Sequence, residues 1–276
     1  MKKHYLAAAI IYTISFASLV KGQASEEAPA EPALGPVSGS FSLDINAHHM
    51  SYGRDIWGAG SGFNDAQINP SLGLNFDLGN DVTLNVGVWA EINDNVPAIA
   101  LDGNEFQEVD FWAGIGFGLG DIDVSLTYQE WIYVSDSERI FDIGIGPFDL
   151  PFNPSIKFHC RLDEGAAGDT SGPTAGTAHD TGVVTVINAL LPGFSIGGLD
   201  FAIPVNVAFA TDGYHGGDSG YAYSSIGLTT SAPLTGPWTL NAGLTYYLTD
   251  DKVIPSAAGN EDDNILTGSV GIGMSF

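Results

Sequence analysis

From Ser38 to the final residue the chain alternates apolar with polar or small side chains, the period of two that turns successive residues to opposite faces of a β-strand. Gln67 to Leu78 is the clearest stretch. Ile68, Pro70, Leu72, Leu74, Phe76 and Leu78 form one face, and Gln67, Asn69, Ser71, Gly73, Asn75 and Asp77 form the other. Val82 to Val88 and Glu108 to Leu119 repeat the pattern, as do 122–128, 156–162, 201–209, 238–248 and 266–276, with weaker runs at 41–47, 139–145, 183–191 and 221–230. The set predicts an all-β fold of about twelve strands, an even number, as a single-chain antiparallel up-and-down transmembrane barrel requires.

The connections between these runs are alternately long and short. Long ones fall near 51–65, 93–105, 164–181, 211–221 and 249–264, with a shorter one near 134–138. Tight or modest turns fall at Gly79-Asn80, Gly120-Asp121, 147–154, 193–199 and 232–237. Barrels of the outer membrane carry short periplasmic turns and longer external loops, and an even strand count returns both termini to the periplasm. The apolar face is bounded by aromatics at both ends: Phe41, Phe76, Phe117, Phe201, Trp238 and Phe276 toward the turns, and Tyr128, Phe209 and Tyr246 toward the loops. Two such girdles are what the two interfaces of a bilayer select. A soluble sandwich also alternates, but it needs one shared core and no aromatic rims.

The first residues predict a different fate. Lys2 and Lys3 precede an apolar run from Tyr5 to Val20, with Gly22 and Ala24 placed for cleavage before Ser25, so residues 1–24 read as a signal peptide. Residues 25–37, rich in Ala, Pro and Glu, read as a flexible periplasmic leader, and 38–276 as the barrel.

Composition then narrows the partners. Charged residues are 15% of the chain, below the roughly 25% usual in soluble domains. Eight Lys and Arg stand against 33 Asp and Glu, which excludes a nucleic-acid partner and favours cations. The expected partners are the lipid bilayer with its lipopolysaccharide, small solutes or cations, and the barrel-assembly machinery through the C-terminal Phe276, which closes the alternating run Val270, Ile272, Met274.

With the apolar face in lipid, the opposite face lines a lumen. Its inward positions include Asp44, Asn69, Asn85, Glu91, Glu108, Asp110, Asp142 and Asn206, and the Gly and Ser among them predict an uncrowded, water-filled interior. One strand turns Lys157, His159 and Arg161 inward together, and reflection about the turn near residue 150 brings Asp142 close to His159. Two readings follow: a basic arc facing acidic walls in a constriction, or lumenal salt bridges that stiffen the wall. The long connections carry many carboxylates against Arg54 and Lys252 alone, which predicts a cation-preferring mouth. Glu261, Asp262 and Asp263 are weak candidates for a Ca²⁺ site, without EF-hand spacing.

Three functions fit such a chain: a passive porin-like channel, a structural or adhesive barrel with a closed lumen, and a lipid-modifying barrel hydrolase. The last would draw on His48, His49, His159 or His215 with Ser40 or Ser42, but neither GxSxG nor HExxH occurs, so no catalytic residue and no cofactor is expected. The first loop from Ser51, followed by VTLNVGVWAEI at Val82 to Ile92, EVDFWAGIGFGLGDIDVSLTY at Glu108 to Tyr128 and APLTGPWTLNAGLTYYL at Ala232 to Leu248, resembles the TorF-type porins in layout. That resemblance implies an outer-membrane pore and no catalytic residues.

Overall fold

The computed structural model describes residues 37–56, 66–94, 101–103, 105–133, 137–163, 181–255 and 264–276. The signal peptide, all of the leader but Val37, and the Glu261, Asp262 and Asp263 cluster lie outside the described residues. The strands are β1 (Val37–Asn46), β2 (Met50–Ser51), β3 (Arg54–Asp55), β4 (Gln67–Gly79), β5 (Val82–Ile92), β6 (Phe106–Leu119), β7 (Ile122–Ile132), β8 (Ser137–Ile145), β9 (Ser155–Arg161), β10 (Gly182–Ile196), β11 (Leu199–Ala210), β12 (Gly220–Pro233), β13 (Trp238–Thr249) and β14 (Asn264–Ser275). All but β2 and β3 form one closed antiparallel barrel in which each strand pairs with its neighbours in sequence and β14 closes on β1. The twelve barrel strands coincide with the twelve alternating runs.

Closure is what lets a sheet sit in hydrocarbon, because every strand finds a partner on both sides and no backbone edge is left unpaired. The seam runs from Ser40 opposite Ser275 to Asn46 opposite Ser269. It is finished by Gly39 N–H to Phe276 C=O at 2.7 Å and Phe276 N–H to Gly39 C=O at 3.0 Å. Both ends of the strand set therefore meet at the end that carries the tight turns, here the turn end. The opposite, loop end carries the longer connections.

The alternation is realised as two faces. Outside lie exposed apolar side chains in sequence-adjacent rows, such as Leu240, Leu244, Tyr246 and Leu248 on β13 and Phe111 and Ile115 on β6, with Leu244 53% and Phe111 50% exposed. The inward partners Asn85, Asn69, Asp110 and Asn206 are buried. A monomer in water does not carry an apolar surface that encircles it. The turn-end rim is aromatic, with Phe41 edge-on to Trp238 at 6.1 Å and Phe194 stacked on Phe201 at 5.1 Å. At the loop end Phe209 meets Tyr221 edge-on at 6.3 Å.

The turn expected over 193–199 is tighter than the sequence suggests. β10 continues past a bulge to Ile196, and only Gly197 and Gly198 connect it to β11. Their φ values of 62° and 85° are the left-handed pair that a two-residue hairpin needs.

Candidate functional site

The lumen has two unlike halves. Toward the turn end the inward positions are small and mostly uncharged: Ser40 and Ser42 on β1, Asn75 on β4, Thr83 and Asn85 on β5, Gly114 and Gly116 on β6, Ser231 on β12, Asn241 on β13 and Gly273 on β14. Toward the loop end the wall carries Asp44, Glu91, Glu108, Asp110, Glu138 and Asp142, all buried, together with Trp89 and Trp131.

The first connection does not stay in the mouth. β2 and β3 form a small hairpin whose side chains Met50 and Arg54 are buried, and the chain leading to it buries His49. Three separate parts of the wall hold it. At its root, His49 Nδ1 lies 3.2 Å from Glu91 Oε2 and the His49 ring leans on Trp89 at 5.2 Å. Glu91 also accepts from Asn69, and from Asn93 Nδ2 at 3.0 Å, so its carboxylate is fully engaged. Burial pulls the His49 imidazole down, but the Glu91 hydrogen bond and the charges of Glu91, Glu108 and Asp55 outweigh it and hold its pKa above the ordinary value.

At the tip, Tyr52 stacks on His159 of β9 with centroids 3.8 Å apart, and its hydroxyl accepts from Lys157 Nζ at 3.1 Å. Gly53, at φ +89°, lies flat against Tyr223 of β12, whose ring atoms would be 2.5 Å from any Cβ there. A side chain at that position would meet both backbone strain and a ring. Across the hairpin's base, His48 Nδ1 meets Asp55 Oδ2 at 2.7 Å. Burial and the nearby Arg161 pull the Arg54 guanidinium down to about 10, against Glu138, which leaves it cationic at neutral pH.

The inward trio of β9 is paired along the wall. His159 Nδ1 lies 2.6 Å from Asp142 Oδ1, and Lys157 Nζ lies 3.2 Å from Asp142 Oδ2. Gln129 Nε2 donates to Asp142 at 2.8 Å and in turn takes Trp131 Nε1–H at 3.1 Å. Arg161 Nε donates to Glu138 Oε2 at 3.0 Å and an Nη1–H to the Tyr214 carbonyl at 2.7 Å, while its guanidinium covers the Tyr214 ring at 4.1 Å. These carboxylates come from β8, the strand next to β9, so the bases meet their acids along the wall. Glu91, Glu108 and Asp110 form a second acidic group on β5 and β6. There Glu91 pairs with Glu108 across the β5–β6 ladder, and Asp110 sits opposite Trp89.

Three expectations are corrected here. The interior is not uncrowded throughout, since Met50, Tyr214, Tyr223, Tyr247, Val253 and Ile254 pack with the inward Val184, Val186, Ala208 and Ala210 of β10 and β11. Those four small apolar side chains give the infolded loops a dry surface to bury against. Glu138 belongs to β8 and faces the lumen. Arg54 and Asp55 fold inside, where they no longer charge the mouth. The run VVTVI at Val183 to Ile187, apolar on both faces, is the signal that sequence reasoning passed over: a wall strand covered on its inner side as well.

Of the histidines weighed for hydrolysis, His49 and His159 take carboxylate partners, and His159 Nε2 has no hydrogen-bond partner. Among the described residues no cluster of three or more metal-ligating side chains forms.

Space remains on one side. Along β12, β13, β14 and β1 runs a groove open to solvent, with a cavity of about 80 Å³, reaching from Ser231 and Asn241 up to Tyr247, His48 and Met50 beside the hairpin.

No protein-family model matches the chain, and no curated protein matches it. Among solved structures it is similar to the KdgM porin, at 9% identity and a TM-score of 0.47, over 86% of this chain and 99% of that one. It is similar to the outer membrane phospholipase A from Escherichia coli at 13% identity and 0.42, over 86% and 92%. The translocator domain of the autotransporter NalP from Neisseria meningitidis follows at 11% and 0.40, over 87% and 88%. At these scores the likenesses assign neither a family nor an activity.

Proposed function

We propose that the protein is a porin-like channel of the bacterial outer membrane, narrowed at its loop end by the β2–β3 hairpin, through which small hydrophilic solutes diffuse passively. The observation that carries the reading is the pair of faces: a ring closed without an edge, apolar and exposed outside, polar inside, with a solvent-connected cavity running past the hairpin. In this reading the turns and both termini face the periplasm, and residues 1–24 direct export. Phe276 addresses the chain to the assembly machinery, and the loops face out among lipopolysaccharide. The acidic loop residues, Asp94, Asp102, Asp212, Asp218, Asp250 and Asp251 among the described ones, concentrate cations at the mouth.

Planar-bilayer recording of the purified full chain tests this. The expected result is discrete conductance steps and a reversal potential of cation-selective sign in a salt gradient. No conductance at any voltage would favour the closed, structural barrel, and an anion-selective reversal potential would remove the mouth's role.

A further inference from the structure

The cavity beside the hairpin differs from the opposite wall in chemistry as well as in space. Its lining is dominated by side chains that both donate and accept hydrogen bonds or carry an amide: Thr229, Ser231, Asn241, Thr245, Thr267 and Ser269. Among the described residues no Lys or Arg lines it, and its carboxylate and imidazole each hold a hydrogen bond. Asp44 Oδ2 accepts from Ser42 Oγ at 2.9 Å, and His48 Nδ1 is held by Asp55 at 2.7 Å. The Thr267 hydroxyl oxygen is buried without a hydrogen-bond partner. Tyr247 closes the upper end with an aromatic ring.

The lining is also kept low. A Cβ on Gly271 would come 2.1 Å from Asp44 Oδ1, and one on Gly243 would come 3.1 Å from Ser269 Oγ. Glycine at these two positions lets the Asp44 carboxylate and the Ser269 hydroxyl lie close against the wall. On its other side the hairpin meets the charged wall, with His49 on Glu91 of β5 and Tyr52 on His159 of β9, while Met50 faces the cavity.

From this we infer that the β12–β13–β14–β1 wall is a binding track for small neutral polyhydroxylated solutes, of the size and chemistry of a monosaccharide, and that such solutes are what the channel selects. The inference rests on the channel reading above and goes beyond it by naming the solute class. A sugar hydroxyl gives up water hydrogen bonds on entering a narrow passage, and a wall of hydroxyls and amides returns them in both directions. An anion gains least there, since the Asp44 carboxylate at the β1 edge repels it, and a cation meets that one carboxylate on a lining otherwise made of hydroxyls and amides. The ring face of Tyr247 offers the apolar side of a sugar a place to lie as it passes the hairpin.

The test uses the full chain reconstituted in liposomes and in planar bilayers, with D-glucose, sodium D-gluconate and glucosamine hydrochloride as solutes of nearly one size. Liposome swelling is expected to be fastest with glucose, and millimolar glucose is expected to interrupt the KCl current. A variant carrying Asn241→Ala, Thr267→Val and Ser269→Ala is expected to lower the glucose rate about threefold to tenfold, on the scale of one lost hydrogen bond, read as a ratio to the KCl conductance of the same variant. The glucose-dependent interruption of wild-type current is read without any variant, so misfolding of the triple variant does not decide the matter. Conductance present, with equal rates for the three solutes and no effect of glucose on the current, overturns the track and leaves the channel standing. Absence of both conductance and swelling overturns the two together.

Discussion

The turn-end half and the loop-end half of the same lumen are built from the same strands and differ in what fills them. Toward the turns, small polar residues line the wall, and no described loop segment enters. Toward the loops, six buried carboxylates face the lumen and the bore is crossed by a hairpin that reaches from Glu91 on β5 to His159 on β9 and Tyr223 on β12. The difference teaches where each kind of residue acts. In the turn-end half the barrel's backbone alone sets the width, so side chains matter little to stability. In the loop-end half the wall is a socket, where the β8 carboxylates are buried against the bases of β9 and loss of either partner leaves a charge unpaired.

The largest expected effect comes from removing the difference. Excising Met50–Asp55 and bridging the gap with glycines should raise single-channel conductance severalfold, since the tip contacts to His159 and Tyr223 go with it. Unchanged conductance in a folded variant would mean that the hairpin does not set the bore.

Next comes the socket itself. Asp142→Ala leaves both Lys157 and His159 without their carboxylate, and should lower stability by about 3–5 kcal/mol, read as a shift of the unfolding midpoint in urea. The root of the hairpin supplies a pH dependence. Because Glu91 holds the His49 pKa above its ordinary value, the latch is fully formed below about pH 6.5 and is lost as pH rises through the raised value. Conductance should therefore increase between mildly acidic and alkaline pH, and His49→Gln should flatten that rise. The smallest effect belongs to the turn-end half: Thr83→Ala should change stability by no more than about 0.5 kcal/mol and leave conductance as it is.

Much of this was legible in the chain and part of it was not, for physical reasons. All twelve barrel strands follow from the period of two, because a residue such as Leu244 has only lipid to face and its neighbour Thr245 only the lumen. The Asp142–His159 contact follows from counting strand positions about one turn. The infolding of Ala47 to Ile56 does not, because the segment has no period of its own and its fate is decided by His49, Tyr52 and Gly53 meeting three strands far apart in sequence. The inward apolar residues Val184, Val186, Ala208 and Ala210 likewise make sense only once Tyr214 and Tyr223 are seen packed over them. The Glu261, Asp262 and Asp263 cluster and the membership of the TorF-type porins remain expectations of the sequence.

The central claim is that alternate side chains of each strand meet hydrocarbon and water. Spin labels placed singly along β13 from Leu240 to Leu248, in a Cys160→Ser background reconstituted in bilayers, measure it most directly. The account predicts oxygen-accessible labels at 240, 242, 244, 246 and 248, and labels accessible to a water-soluble nickel chelate at 241, 243 and 245. Uniform accessibility along the strand, or the opposite phase, would contradict it.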